Sequence, residues 1–376
     1  MENRLTEILI AIDRDGALDK NAIEAAEARQ KILAKPTGAL GTLEDISIKM
    51  AGITGNVKNY VQKRGIVIMS ADNGVVDEGV ASAPQSVTLS QTINFTRHFT
   101  GVSAIAKHFG IDLLVVDMGV KLPIPQRLYA DSPVDGDKVT DKIWNKSLGK
   151  GTRNLAKEPA MTRSQALEAI LTGIDAVAAF KSCNYDLFGI GEMGIGNTTT
   201  SACVLSALTG ATGEDVVGRG GGLNDQGLAK KVHIVNKAAA SCKGDEVIDI
   251  LATVGGFDIC AMTGAFLGAA YYRLPVVVDG YISAVAALAA TKLAPNVFNF
   301  LFGSHLSKEQ GYKIAVDEIG ISPYFDLGMR LGEGSGCPIS FNIIETACAA
   351  MNEMATFEEG AINADYLEEG EKGNFF

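Results

Sequence analysis

Five short apolar runs, each ending abruptly at glycine or polar residues, constrain the fold more than any other feature of this sequence. In chain order the runs are "GIVIMS", "DLLVVD", "YDLFGI", "LPVVVD" and "NVFNFLF". They are nearly continuous rather than alternating in polarity, which is typical of strands buried on both faces of a parallel sheet. In such a sheet the carboxyl ends of the strands form the binding crevice. The polar ends of the runs are therefore predicted to meet in space.

Helical segments lie between these runs, so the pattern predicts a doubly wound α/β core with a mostly parallel sheet. Residues 1–60 differ, because they carry two Ala- and Glu-containing helical stretches without a strand partner. Residues 338–357 also have a helical pattern. We therefore predict an α/β catalytic domain over 61–335, and a smaller helical domain built from both chain ends, 1–60 plus 336–376. Residues 121–160 are predicted to form a long polar loop.

The bulk composition narrows the class of protein. With 33 basic and 44 acidic residues the formal net charge is −11, which disfavours binding to nucleic acid or to anionic membrane surfaces. Six scattered cysteines without a C-x-x-C spacing are typical of reduced thiols in the cytoplasm. The apolar stretch "ISAVAALAA" is too short to span a bilayer. The four histidines show no metal-binding spacing, so no metal is expected.

The stretch "GEMGIGNTTT", residues 191–200, has the outline of a nucleotide phosphate loop without its lysine. Asn197 stands in the lysine position, and Thr198 follows where the loop normally has Ser or Thr. A strand, a glycine loop and a Thr-rich helix start direct main-chain N–H groups at an anion. Without the lysine we predict a monophosphate ligand, with Glu192 on sugar hydroxyls. The alternative is a tight strand-to-helix turn that binds nothing.

Two further glycine-rich segments are candidates. In "VGRGGGLNDQGLAKK", Arg219 and one of Lys230 and Lys231 can supply the missing positive charge. A flexible connector with a solvated basic pair is the alternative. In "RLGEGSG", Glu333 stands between two glycines and is suited to act as a general base. The alternative is an acid that interacts with the dipole of the following helix.

Polar side chains at other strand ends complete the candidate set. The segment after the first run offers Asn73, Ser82 and Gln85, and later ends offer Asp279 and Ser304. Each can equally belong to a solvated loop or a structural hydrogen bond. A kinase or NTPase is disfavoured by the missing lysine.

The sequence resembles the nicotinate-nucleotide:dimethylbenzimidazole phosphoribosyltransferase family, which activates the lower ligand of cobamides. The matching segments run from about residue 35 to 357 and include "KPTGALGTLE", "ADNGVVDEGVASAPQ", "GEMGIGNTTT", "VGRGGGLNDQGLAKK", "GSHLSKEQGYK" and "DLGMRLGEGSG". The resemblance implies a Rossmann-like sheet with a small helical domain, assembled as a homodimer. It also implies transfer of 5-phosphoribose from nicotinate mononucleotide to an aromatic base, with inversion and without a cofactor.

The resemblance also assigns roles to residues. It implies that Glu333 is the general base and that Lys231, rather than Lys230, contacts the phosphate. The remaining residues that it and the strand ends place at the substrates are Asn73, Ala81, Ser82, Gln85, Glu192, Gly194, Ile195, Gly196, Asn197, Thr198, Arg219, Gly220, Asp279 and Ser304.

Two departures concern the acceptor. The family usually reads "ADHGV" where this chain has Asn73, and usually has Ser where this chain has Ala81. Relatives that use phenol or p-cresol are known, some as heterodimers of two paralogues. A phenolic acceptor with a paralogous partner therefore remains open, as does a non-catalytic nucleotide-binding homologue.

Overall fold

A seven-stranded sheet forms the centre of the larger part of the chain. The computed structural model describes residues 1–219, 222–242 and 244–363. Its strands are β1 (Arg64–Ala71), β2 (Asp112–Gly119), β3 (Tyr129–Ala130), β4 (Val134–Asp135), β5 (Lys138–Val139), β6 (Ile143–Asn145), β7 (Leu187–Met193), β8 (Val276–Val278) and β9 (Leu301–Phe302). The sheet has the order β3-β6-β2-β1-β7-β8-β9, and each of its neighbouring pairs is parallel. A separate antiparallel pair joins β4 to β5.

Helices of the larger unit flank this sheet, and the predicted α/β class is confirmed. The helices of both units are α1 (Glu2–Asp15), α2 (Lys20–Ile32), α3 (Thr42–Thr54), α4 (Ser86–Phe95), α5 (Gly101–His108), α6 (Arg163–Ser182), α7 (Asn197–Thr209), α8 (Gly213–Val216), α9 (Asp225–Ser241), α10 (Val247–Val254), α11 (Phe257–Tyr272), α12 (Tyr281–Leu293), α13 (Tyr312–Ile319) and α14 (Cys337–Glu353), with 3₁₀ turns at Gly74–Glu78, Gln126–Leu128 and Pro295–Phe300. Within the described residues no helix is both long and apolar enough to cross a membrane.

The strand order places a topological switch at β1. From β1 the chain continues to β2 on one side, and β7 later adds on the other side. Connections that leave in opposite directions open a crevice at the carboxyl ends of the two central strands. The segments that follow β1 and β7 therefore meet at one edge of the sheet.

Four of the five apolar runs form strands, and the fifth does so only at its last two residues. The run "NVFNFLF" is mostly the 3₁₀ turn Pro295–Phe300, and only Leu301–Phe302 pairs with β8. Pro295 occupies the first position of that turn, where its fixed φ favours helical geometry. The predicted loop over 121–160 is also wrong in part, because it contains β3 to β6. Very short strands with polar flanks carry too little periodicity to be recognised.

Glycine lets α6 and α11 pack with their backbones in contact. A methyl group on Gly173 would lie 1.9 Å from the carbonyl oxygen of Ala261, and one on Gly264 would lie 1.8 Å from that of Ile170. Both helices are largely buried. The pair forms the central support behind β1 and β7.

The chain divides into two compact units, 1–16 plus 63–340 and 17–62 plus 341–376. In the smaller unit α2 and α3 pack with the later part of α14, around Ala22, Ala26, Ala51 and Met351. The first helix belongs to the larger unit, whereas the sequence interpretation grouped it with the smaller one. Leu5, Ile8 and Ile12 are buried on one face of α1, which packs against α11.

Candidate active site

A cavity at the carboxyl ends of β1 and β7, within the larger unit, is the candidate active site. Its volume is about 490 Å³. It brings together most of the side chains and loop residues that the sequence singled out, namely Ala81, Ser82, Glu192, Gly194, Ile195, Gly196, Asn197, Thr198, Arg219, Lys231 and Glu333. Four separate segments of the chain therefore contribute to one site.

The loop after β7 leads directly into α7. Gly196 has a φ of 96°, a left-handed conformation that glycine adopts without steric cost, and it is the N-cap of α7. A methyl group on Gly194 would lie 2.2 Å from the carbonyl oxygen of Ala71, so the loop packs against the end of β1. The main-chain N–H of Ile195 donates to Thr88 Oγ1 at 3.1 Å. The turn thus directs the amino end of α7, with its partial positive charge, into the cavity.

Lys231 supplies a positive charge next to this turn. Its side chain comes from α9, is 1% exposed, and donates to Thr198 Oγ1 at 2.9 Å and to the carbonyl oxygen of Gly218 at 3.3 Å. Burial lowers the pKa of Lys231 to about 8, while the nearby carboxylate of Glu309 raises it. At neutral pH the ammonium group is charged, and the cavity therefore holds the features of an anion site.

Glu333 reaches the same cavity from the turn before α14. Its backbone is left-handed, with a φ of 63°, and it lies between Gly332 and Gly334, whose φ values are 80° and 84°. The carboxylate accepts the main-chain N–H of Val102 at 3.2 Å and the Gln91 amide at 3.4 Å. Because Val102 lies in the first turn of α5, the helix dipole favours the ionised carboxylate. Burial acts more strongly and raises the pKa of Glu333 above its ordinary value.

Glu192 connects the turn that carries Glu333 with the start of α7. Its carboxylate accepts the main-chain N–H of Glu333 at 3.3 Å and, on the other oxygen, the side-chain amide of Asn197. That amide also lies 3.3 Å from Asp258 Oδ2. Burial, followed by the charge of Asp258, raises the pKa of Glu192 to about 8, and burial raises that of Asp258 to about 7. Two buried acids thus share the Asn197 amide, with Glu192 lining the cavity and Asp258 fully buried next to it.

Four residues of the predicted site do not line this cavity. Asn73 is fully buried beside Gly194 and Gly196, behind the loop, and Gln85 binds Lys121 and the carbonyl oxygen of Asn73. Ser304 is buried against His305. Asp279 lines a smaller neighbouring cavity of about 50 Å³ and binds main-chain N–H groups of the Glu333 turn. Asn73, Ser304 and Asp279 are strand-end residues that lie buried beneath loops, whereas Gln85 is the N-cap of α4. Gly220 lies outside the described residues.

Several residues of the site were missed by sequence reasoning. Gln91 and Val87 lie on α4, just beyond the segment that ended at Gln85, and helical spacing from Val87 could have identified Gln91. Asp258 begins α11 in a glycine-rich segment whose role the sequence left open. Glu309, Arg330 and Leu331 also line the cavity. Arg330 and Leu331 belong to the candidate segment "RLGEGSG", in which the sequence analysis named Glu333 alone, and Glu309 is brought to the cavity by tertiary packing.

Comparison with known proteins agrees with a phosphate-binding site of this geometry. A family model described as phosphoribosyltransferase matches residues 16–362. A nicotinate-nucleotide–dimethylbenzimidazole phosphoribosyltransferase of Clostridium perfringens is 51% identical over 367 residues, which is 97% of each chain. One from Clostridium tetani is 46% identical over 92% of each chain. The crystal structure of the Thermus thermophilus enzyme of that name has a TM-score of 0.85 at 33% identity, covering 92% of this chain and 99% of its own.

Proposed function

Because the chain belongs to the nicotinate-nucleotide–dimethylbenzimidazole phosphoribosyltransferase family, we propose that it transfers the 5-phosphoribosyl group of nicotinate mononucleotide to an aromatic base. The product is the α-riboside 5′-phosphate used for the nucleotide loop of cobamides, and nicotinate is released. The enzyme class, a phosphoribosyltransferase, follows from the family. The relatives do not favour the NTPase, phenolic-acceptor or non-catalytic alternatives.

The amino end of α7 and Lys231 bind the 5′-phosphate in this proposal. The ammonium group already donates to Thr198 Oγ1 at 2.9 Å, which places cation, hydroxyl and helix end at one point. A single phosphate dianion matches one buried lysine and one helix terminus. The neighbouring carboxylate of Glu309 would repel a polyphosphate chain. This supports a monophosphate donor.

Glu192 and Glu333 act on the ribose and on the reacting bond. Glu192 accepts hydrogen bonds from the ribose hydroxyls, because its carboxylate lies between the phosphate site and the Glu333 turn. Glu333 takes the proton of the incoming base while the base attacks the anomeric carbon. The bond to the nicotinate ring nitrogen breaks, and its electron pair neutralises the charged ring. Positive charge that develops on the ribose is stabilised by the carboxyl oxygens of these two residues.

The acceptor lies against α4 and the segment before it. Val80, Ala81, Ala83 and Val87 give this wall an apolar surface, and the Gln91 amide lies beside Glu333. An apolar wall with one polar group at its end fits a flat aromatic base with one exchangeable proton. Dimethylbenzimidazole, which the relatives' names carry, has this chemistry.

We also propose that the enzyme is a homodimer and that it is located in the cytoplasm. The six cysteines are free and buried, which suits a reducing compartment. Light scattering of the purified chain, alone and with nicotinate mononucleotide, measures the oligomeric state.

The observation that carries the proposal is the position of the Glu333 carboxylate in the same cavity as the Lys231–Thr198 pair. We expect the purified chain to release nicotinate from nicotinate mononucleotide only when an aromatic base is added. A competition among dimethylbenzimidazole, adenine and p-cresol, with each product weighed by mass spectrometry, identifies the acceptor. Failure with every base would refute the activity.

Glu333→Gln tests the assigned base. An amide of the same size cannot accept the proton, so kcat is expected to fall by about 10² to 10⁴ fold while donor binding persists. Glu318→Gln, an exposed acid on α13 that pairs with Lys292 at 3.5 Å, is the matched control and keeps full activity. Full kcat in Glu333→Gln would show that another group removes the proton.

A further inference from the structure

The carboxylate of Asp279 lies beneath the turn that carries Glu333. Asp279 directly follows β8 and is 2% exposed. Its Oδ1 accepts the main-chain N–H of Gly336 at 2.7 Å, and its Oδ2 accepts that of Gly334 at 3.0 Å. Charge-assisted hydrogen bonds of this length are the strong ones. Since both oxygens bind donors of one turn, the side chain holds that turn.

The turn has a conformation that requires such support. Gly332, Glu333 and Gly334 are left-handed in succession, and only the glycines adopt this conformation without steric cost. A strained residue of this kind persists only where its surroundings determine its conformation. On the opposite side, a methyl group on Gly191 would lie 2.2 Å from the carbonyl oxygen of Glu333. The turn is thus enclosed between the end of β7 and the Asp279 carboxylate.

The neighbouring His305 and Ser304 do not form a catalytic triad with Asp279. His305 Nδ1 lies 3.7 Å from Asp279 Oδ1 and 3.3 Å from Ser304 Oγ. A Ser-His-Asp hydrolase uses the two ring nitrogens separately, whereas here one nitrogen faces both partners. Burial lowers the pKa of His305 to about 4, so the ring is neutral at neutral pH. The main-chain donors of the turn are therefore what stabilises the ionised form of Asp279, against burial, which raises the pKa of this carboxyl group to about 7.

We propose that Asp279 is a positioning residue, whose carboxylate holds the left-handed turn of residues 332–334 and thereby directs Glu333 into the cavity. The proposal rests on the proposed function of Glu333 as the base. It replaces the sequence-based expectation that Asp279 contacts the substrate. Without the Asp279 carboxylate, Lys231 and the start of α7 stay in place. The loss is therefore expected to slow the chemical step and to leave the affinity for nicotinate mononucleotide unchanged.

Asp279→Asn is the first test. The side chain keeps its size, but one oxygen becomes an NH₂ group that faces a main-chain donor. We expect kcat to fall by about 10 to 100 fold, as for a misplaced catalytic group. The Kd for nicotinate mononucleotide, measured by calorimetry, stays unchanged. An unchanged kcat, or a Kd that rises in step with the loss of kcat, would overturn the proposal.

Asp117→Asn is the matched control. Asp117 lies on β2, is 2% exposed, and accepts the main-chain N–H groups of Gly119 at 2.9 Å and Val120 at 2.8 Å. Its Oδ1 holds a turn through main-chain donors, its Oδ2 accepts the Tyr129 hydroxyl, and no residue of that turn lines the cavity. The control is expected to lose stability and to keep kcat. An equal loss of kcat in both variants would mean general damage, and the positioning function would be wrong.

Hydrogen exchange tests the same contacts without turnover. In the wild-type chain the amides of Gly334 and Gly336 are expected to be as protected as those of β1, and Asp279→Asn is expected to accelerate them selectively. A wild-type turn that exchanges as fast as an exposed loop overturns the proposal, even if the variant does not fold. This readout also separates the two hypotheses, because an inactive wild-type enzyme refutes the function while exchange still tests the turn.

Discussion

At the scale of single residues, the site depends on two side chains in unfavourable environments. Glu333 has a left-handed backbone, which costs a non-glycine residue about 1 to 2 kcal/mol. Lys231 is buried as a cation, and burial lowers its pKa to about 8. Such costs are tolerated at functional sites, where geometry and charge are needed before the ligand arrives. Both residues therefore mark the site independently of any relative.

Lys231→Met is predicted to weaken donor binding selectively. The thioether fills the same space but cannot donate to a phosphate, and a charged hydrogen bond is worth about 1.5 to 3 kcal/mol. The Kd for nicotinate mononucleotide should rise by about 10 to 150 fold, measured by calorimetry. Lys230→Met is the matched control, because Lys230 pairs with Glu78 at 3.3 Å and is half exposed. Equal losses in the two variants would contradict the assignment of Lys231.

At the scale of secondary-structure elements, the position of the site depends on close contact between α6 and α11. Glycines at the crossing let main-chain atoms approach where a side chain would separate the helices. These helices lie behind β1 and β7, whose ends carry the loops of the cavity. Their packing therefore affects stability first and catalysis only indirectly.

Gly264→Ala is predicted to destabilise the fold without changing the chemistry. Its methyl group would meet the carbonyl oxygen of Ile170 at 1.8 Å, and such overpacking typically costs about 1 to 3 kcal/mol. We expect Tm to fall by several degrees, measured by calorimetry, while kcat at low temperature stays close to that of the wild type. Gly227→Ala on α9 is the control, since its nearest neighbour is the flexible Leu223 side chain at 3.1 Å. An unchanged Tm in Gly264→Ala would contradict the described helix contact.

At the scale of the whole molecule, buried carboxyl groups couple the site to the stability of the fold. Burial raises the pKa of Glu192 to about 8, and that of Asp258 and Asp279 to about 7. An unfolded carboxyl group has a pKa near about 4, so between these values the folded state holds more protons than the unfolded state. The free energy of unfolding must then fall as pH rises through this range.

These carboxyl groups dominate the window from about pH 6.5 to 7.5. His305, whose pKa is lowered to about 4, changes the free energy of unfolding mainly below this window, and Lys231, whose pKa is lowered to about 8, changes it mainly above the window. We predict that Tm decreases across the window, and that Glu192→Gln, which cannot titrate, decreases less steeply. The exposed Glu318→Gln should follow the wild type. A Tm that rises with pH inside the window would contradict the raised pKa values.

The sequence by itself determined the class of fold and most of the loop residues. Continuous apolar runs indicate buried parallel strands, and a parallel sheet brings their carboxyl ends together, so "GEMGIGN" and "RLGEGSG" could be placed at one site. The same local signals failed for the run at 296–302 and for β6, where proline or short length outweighed periodicity.

Only the tertiary structure decided which polar strand ends face the cavity. Asn73, Asp279 and Ser304 turn under loops, whereas Gln91 on α4 reaches the Glu333 carboxylate. Two features decide where a side chain at a strand end lies. One is close contact between backbone segments at glycines such as Gly191 and Gly194, and the other is the presence of main-chain N–H donors, as at Asp279. Those contacts join residues far apart in the chain, as between Glu192 and Glu333, and no local pattern in the sequence records them.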